Sequence, residues 1–105
     1  MAQSEYHLLS PSRKHLVRQM QKLKFGRIER LAIRNGEPLF DPPPRIVREV
    51  KFGGENVPPL EKASATFALK SQVIDLFRQL DGISFGQIEV LEIKHGLPFR
   101  MLVEQ

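Results

Sequence analysis

The chain carries one sequence pattern twice, at an offset of 60 residues. Residues 16–38 align with residues 76–98 without a gap, and 11 of the 23 aligned positions are identical. Most identical positions are apolar residues or glycines, among them the pairs Phe25/Phe85, Ile28/Ile88, Leu31/Leu91 and Gly36/Gly96. An internal repeat of this kind predicts a duplicated structural unit, so both copies should have the same secondary structure.

Each copy is predicted to begin with an amphipathic helix. Ser10-Pro11 supplies a capping hydroxyl and then proline at the first helical position. Apolar residues follow at helical spacing, from Leu16 to Leu23. The helix of the second copy is predicted from about Thr66 to Leu80, and Gly82 is expected to end it in a left-handed conformation.

A β-hairpin is predicted after each helix. Asn35-Gly36 favours a type I′ turn, because both central residues of that turn have positive φ, and His95-Gly96 occupies the same place in the second copy. Pro38 and Pro98 follow the two turns. Proline donates no hydrogen bond to the ladder, so both prolines are expected on edge strands or at strand starts.

The first strand of each hairpin departs from the alternation expected of a half-buried strand. The apolar residues are spaced i, i+3, i+5 in both copies, as Ile28, Leu31, Ile33 and Ile88, Leu91, Ile93. A β-bulge near Glu29 and Glu89 would return them to one buried face. The outward positions would then be Arg30, Ala32 and Arg34 in copy one and Val90, Glu92 and Lys94 in copy two.

These elements predict an α+β fold of two tandem helix-hairpin (αββ) repeats with pseudo-twofold symmetry. A single two-stranded hairpin is only marginally stable in water, so the four strands are expected to form one antiparallel sheet with both helices on one face. The 105 residues are interpreted as a single domain. Repeat one spans about 11–40, a linker spans 41–65, and repeat two spans about 66–104.

Two readings of residues 45–52 are open. Pro44 could be a first helical residue and Gly53-Gly54 a stop, which favours a short helix. The alternative is a strand that buries Ile46, Val50 and Phe52.

The string Phe25-Gly26-x-Ile28…Ile33-x-Asn35-Gly36, with its counterpart from Phe85 to Gly96, resembles the small bacterial YezD-like proteins. Those are short single-unit chains with a helix, an F-G-x-V segment and a D-G turn. This chain has one more residue between the glycines and a proline after the turn. The resemblance implies the helix-hairpin topology and carries over no activity. By this resemblance, the two repeats would correspond to a dimer of single-unit chains that has been fused into one chain.

Positive charge is concentrated in the first half of the chain. Residues 1–52 contain 11 Lys/Arg and 5 Asp/Glu, a difference of +6, whereas residues 53–105 contain 5 and 7, a difference of −2. This asymmetry favours a polyanionic partner, and it is also compatible with a dipolar molecule that docks head to tail. The predicted nucleic-acid-binding residues are Lys14, Arg18, Lys22, Arg30, Arg34, Arg45 and Arg48.

A helix stripe formed by Lys14, Arg18 and Lys22, joined by Arg45 and Arg48, is favoured as the contact surface. A convex basic helix can follow a phosphate backbone without a pocket. The strands are expected to carry no outward aromatic side chain for base stacking.

The sequence predicts no enzyme, no catalytic residue, no cofactor and no metal site. It has no cysteine, and its three histidines, His7, His15 and His95, are scattered and interpreted as solvent-exposed. Glu29 and Glu89 are acidic in both copies. They are interpreted as acceptors for backbone N–H groups at the bulge, with an acid/base pair or an oxygen-ligand metal site as the alternative.

The sequence therefore predicts a small soluble non-enzymatic protein that contacts nucleic acid phosphates with its basic first repeat. The alternative is a protein-protein interaction or adaptor module that uses Pro42–Pro44 or the open sheet face. The partner would be nucleic acid or an acidic protein, and the chain a monomer or homodimer. With no signal peptide and no apolar run of about 18 residues, no membrane contact and a cytoplasmic location are expected.

Overall fold

A computed structural model of the chain describes residues 8–52 and 71–105. Along these residues the elements are α1 (Pro11–Leu23), β1 (Gly26–Arg34), β2 (Glu37–Leu39), β3 (Arg45–Arg48), α2 (Ser71–Asp81), β4 (Phe85–Lys94) and β5 (Leu97–Glu104). The described residues form an α+β fold of two helices and an open antiparallel sheet of five strands. The predicted start of the second helix, at Thr66, lies outside them.

Strands β1 and β4 form the centre of the sheet. They pair antiparallel from Gly26 opposite Ile93 to Arg34 opposite Phe85. On the outer side of β4 lies β5. On the outer side of β1, β3 pairs with its first half and β2 with its second half. The sheet therefore has five strands, one more than predicted, because residues of the predicted linker contribute β3.

Residues 45–48 form a strand where a short helix was predicted. Arg45 pairs with Glu29, and Ile46 pairs with Ile28. The alternative prediction of a strand was right for these residues, but its burial pattern is wrong, because Ile46, Val50 and Phe52 are 39%, 56% and 88% exposed. Pairing with β1 outweighs the local helical spacing, as tertiary context commonly does.

One hydrophobic core joins both helices to one face of the sheet. Its buried members include Leu16, Val17, Met20 and Leu23 of α1, Val73, Leu76, Phe77 and Leu80 of α2, Ile28, Leu31 and Ile33 of β1, and Ile88, Leu91 and Ile93 of β4. The two apolar triplets predicted for the strands are therefore confirmed as buried. The side chains between them lie on the opposite, open face of the sheet.

A strand irregularity explains how residues three apart reach the same face. In the pairing of β4 with β5 the register shifts across Glu89, as the predicted bulge requires. In β1 the irregular residue is Arg30, which has a φ of 57° and is omitted from the pairing with β4. Ile28 and Leu31 are consequently both fully buried.

The hairpin turns have the predicted backbone. Asn35-Gly36 has φ values of 52° and 77°, and His95-Gly96 has values of 55° and 76°, so both central residues of each turn are in the left-handed region. Pro38 and Pro98 lie on β2 and β5 at the two edges of the sheet, as predicted.

The end of α2 differs from the prediction. Gly82 does not have a positive φ. Instead its N–H donates to the Gln79 carbonyl at 3.1 Å, and the Ile83 N–H donates to the Leu80 carbonyl at 2.9 Å. These short-range bonds tighten the last turn and bring the Ile83 side chain, which is 5% exposed, into the core.

Candidate nucleic-acid interface

The seven predicted phosphate-binding residues lie on three elements. They are Lys14, Arg18 and Lys22 on α1, Arg30 and Arg34 on β1, and Arg45 and Arg48 on β3. All are exposed except Lys14, which is half-buried. The structure does not bring the seven together, because α1 covers one face of the sheet while Arg45 belongs to the other.

Arg45 is part of an ion-pair group on the open face of the sheet. Its Nε lies 3.5 Å from Glu29 Oε1, and the Nε of Arg27 donates to Glu29 Oε2 at 2.7 Å. The hydrogen bond from Arg27, with the charges of Arg27 and Arg45, holds the pKa of Glu29 below its ordinary value. Glu29 therefore partly neutralises both arginines, which makes them weaker ligands for phosphate.

Arg13, one of the basic residues in the first half of the chain, is a structural residue that sequence reasoning did not recognise. Its side chain is buried, and its Nε and Nη2 donate to the Gly36 carbonyl at 3.2 and 2.7 Å. The same Nη2 donates to Asp81 Oδ1 at 2.7 Å, and the guanidinium lies 5.0 Å from the centre of the Phe77 ring. Arg13 therefore ties α1 to the first turn and to α2. The sequence contains one sign that position 13 is buried, because the aligned position of copy two is the apolar Val73.

Glu37 has a structural role at the start of α1. The Ser10 hydroxyl accepts a hydrogen bond from the Arg13 N–H at 3.3 Å, which confirms the predicted N-cap. The hydroxyls of Ser10 and Ser12 donate to Glu37 Oε1. A carboxylate at a helix N-terminus is stabilised by the helix dipole, so this acid completes the cap.

Four basic residues from three elements and a cap lie at one end of the molecule. We name this set the basic end: Lys22 in the last turn of α1, Lys24 at its C-cap, Arg48 in β3 and Lys94 at the end of β4. The Gly96 N–H donates to the Lys24 carbonyl at 3.0 Å, so the second turn lies against the end of α1. Arg48 pairs with Gly26, two residues after Lys24. Within residues 8–52 and 71–105, no ion pair involves these four side chains.

Aromatic rings accompany the basic end. The Phe25 and His95 rings meet edge to face with centroids 4.9 Å apart, and Phe25 is 37% exposed. The Lys94 Nζ lies 4.0 Å from the centre of the Phe99 ring, which is 58% exposed. Proteins bind single-stranded nucleic acids with cations, which contact the phosphates, and with exposed aromatic rings, on which the bases stack.

The prediction that the strands lack outward aromatic side chains is wrong. Phe85, the first residue of β4, is 77% exposed, and Phe99 of β5 is exposed as well. Phe99 lies at a second register shift, since Pro98 pairs with Ile93 whereas Arg100 pairs with Glu92. An extra residue in a strand leaves the regular alternation, so the exposure of Phe99 does not follow from its place in the sequence.

Glu89 and Glu104 place two carboxylates together on the half of the open face away from the basic end. Gln87 Nε2 donates to Glu89 Oε2 at 2.8 Å. A hydrogen bond with Glu89 and the repulsion between the two carboxylates raise the pKa of Glu104 above its ordinary value. Phosphate would be repelled by these two carboxylates.

The histidines and acids of the described residues do not form a metal centre. No group of three or more His, Cys, Asp or Glu side chains in residues 8–52 and 71–105 is placed to hold a metal ion. His15 stacks on Phe40 with ring centroids 4.0 Å apart, and both His15 and His95 are exposed. His7 lies outside the described residues.

No protein-family model, curated protein or solved structure matches this chain. The resemblance of each repeat to YezD-like proteins stays a prediction. In the part of the chain that the structure describes, no helix is long and apolar enough to cross a membrane.

Proposed function

We propose that this protein is a non-enzymatic binding protein for single-stranded nucleic acid, and that it binds at the basic end. One observation carries the proposal. Lys22, Lys24, Arg48 and Lys94 lie at the same end of the molecule without ion-pair partners among the described residues, and the exposed Phe25 and Phe99 rings lie at that end as well.

The chemistry of these groups divides the contact into two parts. Ammonium and guanidinium groups bind phosphates and release counterions, so affinity falls as salt rises, with a slope of about −0.7 per phosphate contact for single strands. Four cations in contact would give a slope of about −3. Exposed rings stack on unpaired bases, and each stacked base contributes about 1–3 kcal/mol.

The proposed site retains part of the set predicted from the sequence. Lys22 and Arg48 belong to it, whereas Lys14 and Arg18 lie nearer the start of α1 and outside it. Arg45 lies beside Glu29 on the open face, and the remaining two predicted arginines of β1 are not part of the proposed site.

The experiment compares two variants that each remove two positive charges. Binding of a fluorescent mixed-sequence single-stranded DNA is followed by anisotropy at about 50 mM salt, where phosphate contacts are strong. Lys24→Gln/Lys94→Gln should weaken binding at least tenfold and reduce the salt slope by about 1–2. Lys14→Gln/Arg18→Gln is the matched control and should weaken binding less.

A third variant separates stacking from charge. Phe99→Leu keeps an apolar side chain and removes the aromatic ring, so it should weaken binding without changing the salt slope. Absence of binding by the unmodified protein at about 50 mM salt contradicts the proposal. A greater loss in the α1 control than in the basic-end variant would place the contact on the helix stripe instead.

We also infer that the two halves are structural repeats related by a pseudo-twofold axis between β1 and β4. The register supports this, because Gly26 pairs with Ile93 and Ile33 pairs with Gly86. At the offset of 60 residues Gly26 corresponds to Gly86 and Ile33 to Ile93, so the two pairs are equivalent. In this arrangement β2 and β3 together take the place along β1 that β5 takes along β4. An experimental structure in which residues 14–38 do not superpose on 74–98 would contradict the inference.

A further inference from the structure

The two edges of the sheet differ in how they are protected from pairing with another chain. The edge beside β1 is interrupted, since Pro42–Pro44 separate the three-residue β2 from the four-residue β3. The other edge is the eight-residue β5, with a proline at its second position, Pro98. Unpaired backbone groups along an edge strand form a template for a further strand, and short strands and prolines prevent this. Residues 100–104 of β5 lack that protection.

The side chains of this unprotected stretch alternate in character. Arg100, Leu102 and Glu104 lie on the open face, where their neighbours on β4 are Glu92, Val90 and Gln87. Leu102 is 49% exposed. Met101 and Val103 pack partly against the core on the other face, where they line a groove of about 470 Å³ between α2 and β5.

The charges on the open face are complementary to a reversed copy of themselves. In an antiparallel pairing centred on Leu102, residue 100 of one strand stands opposite residue 104 of the other. Arg100 would therefore face a glutamate, and Glu104 would face an arginine. Leu102 would face its own equivalent, which removes a half-exposed apolar side chain from water.

We propose that two copies of this chain form a homodimer in which β5 pairs antiparallel with β5 of the second copy across a twofold axis at Leu102. The interface is isologous, so the contact of Arg100 with Glu104 occurs twice. On the helix face, Met101 lies opposite Val103 of the second copy, next to the groove that Met101 and Val103 line beside α2.

The surroundings of Glu104 in a single copy support this partner. Its carboxylate contacts that of Glu89, and no ion pair among the described residues provides it with a cation. Arg100 is 3.0 Å from Glu92 of its own chain and has further donors for a second carboxylate. Pairing supplies Glu104 with the opposite charge that it lacks.

The test uses charge reversal at the two positions. The mass of the full chain is measured by sedimentation equilibrium at low salt and up to about 100 µM, where a dimer with a Kd of about 10 µM is largely assembled. Arg100→Glu and Glu104→Arg each put like charges opposite one another at two places, so each should raise the Kd about tenfold or more. Circular dichroism checks that both variants are folded.

Mixing the two variants distinguishes a contact between subunits from a change within one. In the mixed dimer, the glutamate introduced at position 100 of one variant faces the arginine introduced at position 104 of the other. At the second contact the unchanged Arg100 faces the unchanged Glu104, so dimers should return. Glu92→Gln is the control, because it removes only the partner of Arg100 within its own chain and should leave the dimer intact.

Recovery of dimers in the mixture, with monomers for each variant alone, supports the proposal. A monomeric unmodified chain at about 100 µM overturns it. Single variants that dimerise as the unmodified chain does, or a mixture that stays monomeric, also overturn it.

Discussion

Arg13→Met should destabilise the fold far more than removal of an exposed positive charge from the same helix. The Arg13 guanidinium gives two hydrogen bonds to the Gly36 carbonyl and one to Asp81, while its stem is buried. Methionine has a comparable length, so it keeps much of the packing against Phe77 and removes the three bonds. The change therefore isolates the polar part of the interaction.

The magnitude follows from what remains unpaired. A hydrogen bond that involves a charged group contributes about 1.5–3 kcal/mol, and a buried acceptor left without a donor costs about 1–3 kcal/mol. The ion pair with Asp81 adds little, because the Asp81 side chain is 63% exposed. The expected loss is about 2–4 kcal/mol in the free energy of unfolding. For a domain of this size it corresponds to a fall of about 10–20 °C in Tm.

Urea denaturation followed by far-ultraviolet circular dichroism measures this loss. Lys22→Met is the matched control, since it removes the same charge from an exposed position of α1 and should cost less than about 1 kcal/mol. If Arg13→Met and Lys22→Met differ by less than about 1 kcal/mol, Arg13 does not hold α1, the first turn and α2 together as described.

Two further predictions concern the turns and the open face. Gly36→Ala should cost more stability than Gly96→Ala in thermal unfolding: both glycines have nearly the same positive φ, but a Cβ at Gly36 would lie 3.0 Å from Arg13 Nη2 and 3.2 Å from the Leu80 carbonyl oxygen, whereas the closest atom at Gly96 is at 3.4 Å. Equal costs would show that only φ matters. The lowered pKa of Glu29 means that its contribution to stability is present above its ordinary pKa of 4.5 and lost as pH falls through the lower folded value. In an NMR titration Arg27→Gln should raise the Glu29 pKa, and an unchanged value would contradict the cause given for it.

The features predicted correctly from the sequence depend on local chemistry. Ser10-Pro11 begins a helix because the capping hydroxyl and the fixed φ of proline act within one turn. Asn35-Gly36 and His95-Gly96 form their turns because both positions tolerate positive φ. The buried apolar triplets followed from their repeated spacing once a bulge was allowed.

The features that were missed depend on contacts between distant segments. Strand β3 exists because β1 offers it a free edge, and that is invisible in residues 45–52 themselves. Arg13 is buried against Gly36 and Asp81, which are 23 and 68 residues away along the chain. In the candidate site, Lys22 and Arg48 were predicted, whereas Lys24 and Lys94 were not; Lys94 lies at the same end because the second turn packs on the end of α1.

The proposal of nucleic acid binding at the basic end is tested most directly by an NMR titration of the ¹⁵N-labelled chain with a short single-stranded oligonucleotide at about 50 mM salt. The largest amide shift changes should fall in residues 22–26 and 93–99, α2 should change little, and the changes should reverse as salt is added. Shift changes centred on α2 or on the half of the open face that carries Glu89 and Glu104, or no changes at all, would contradict it.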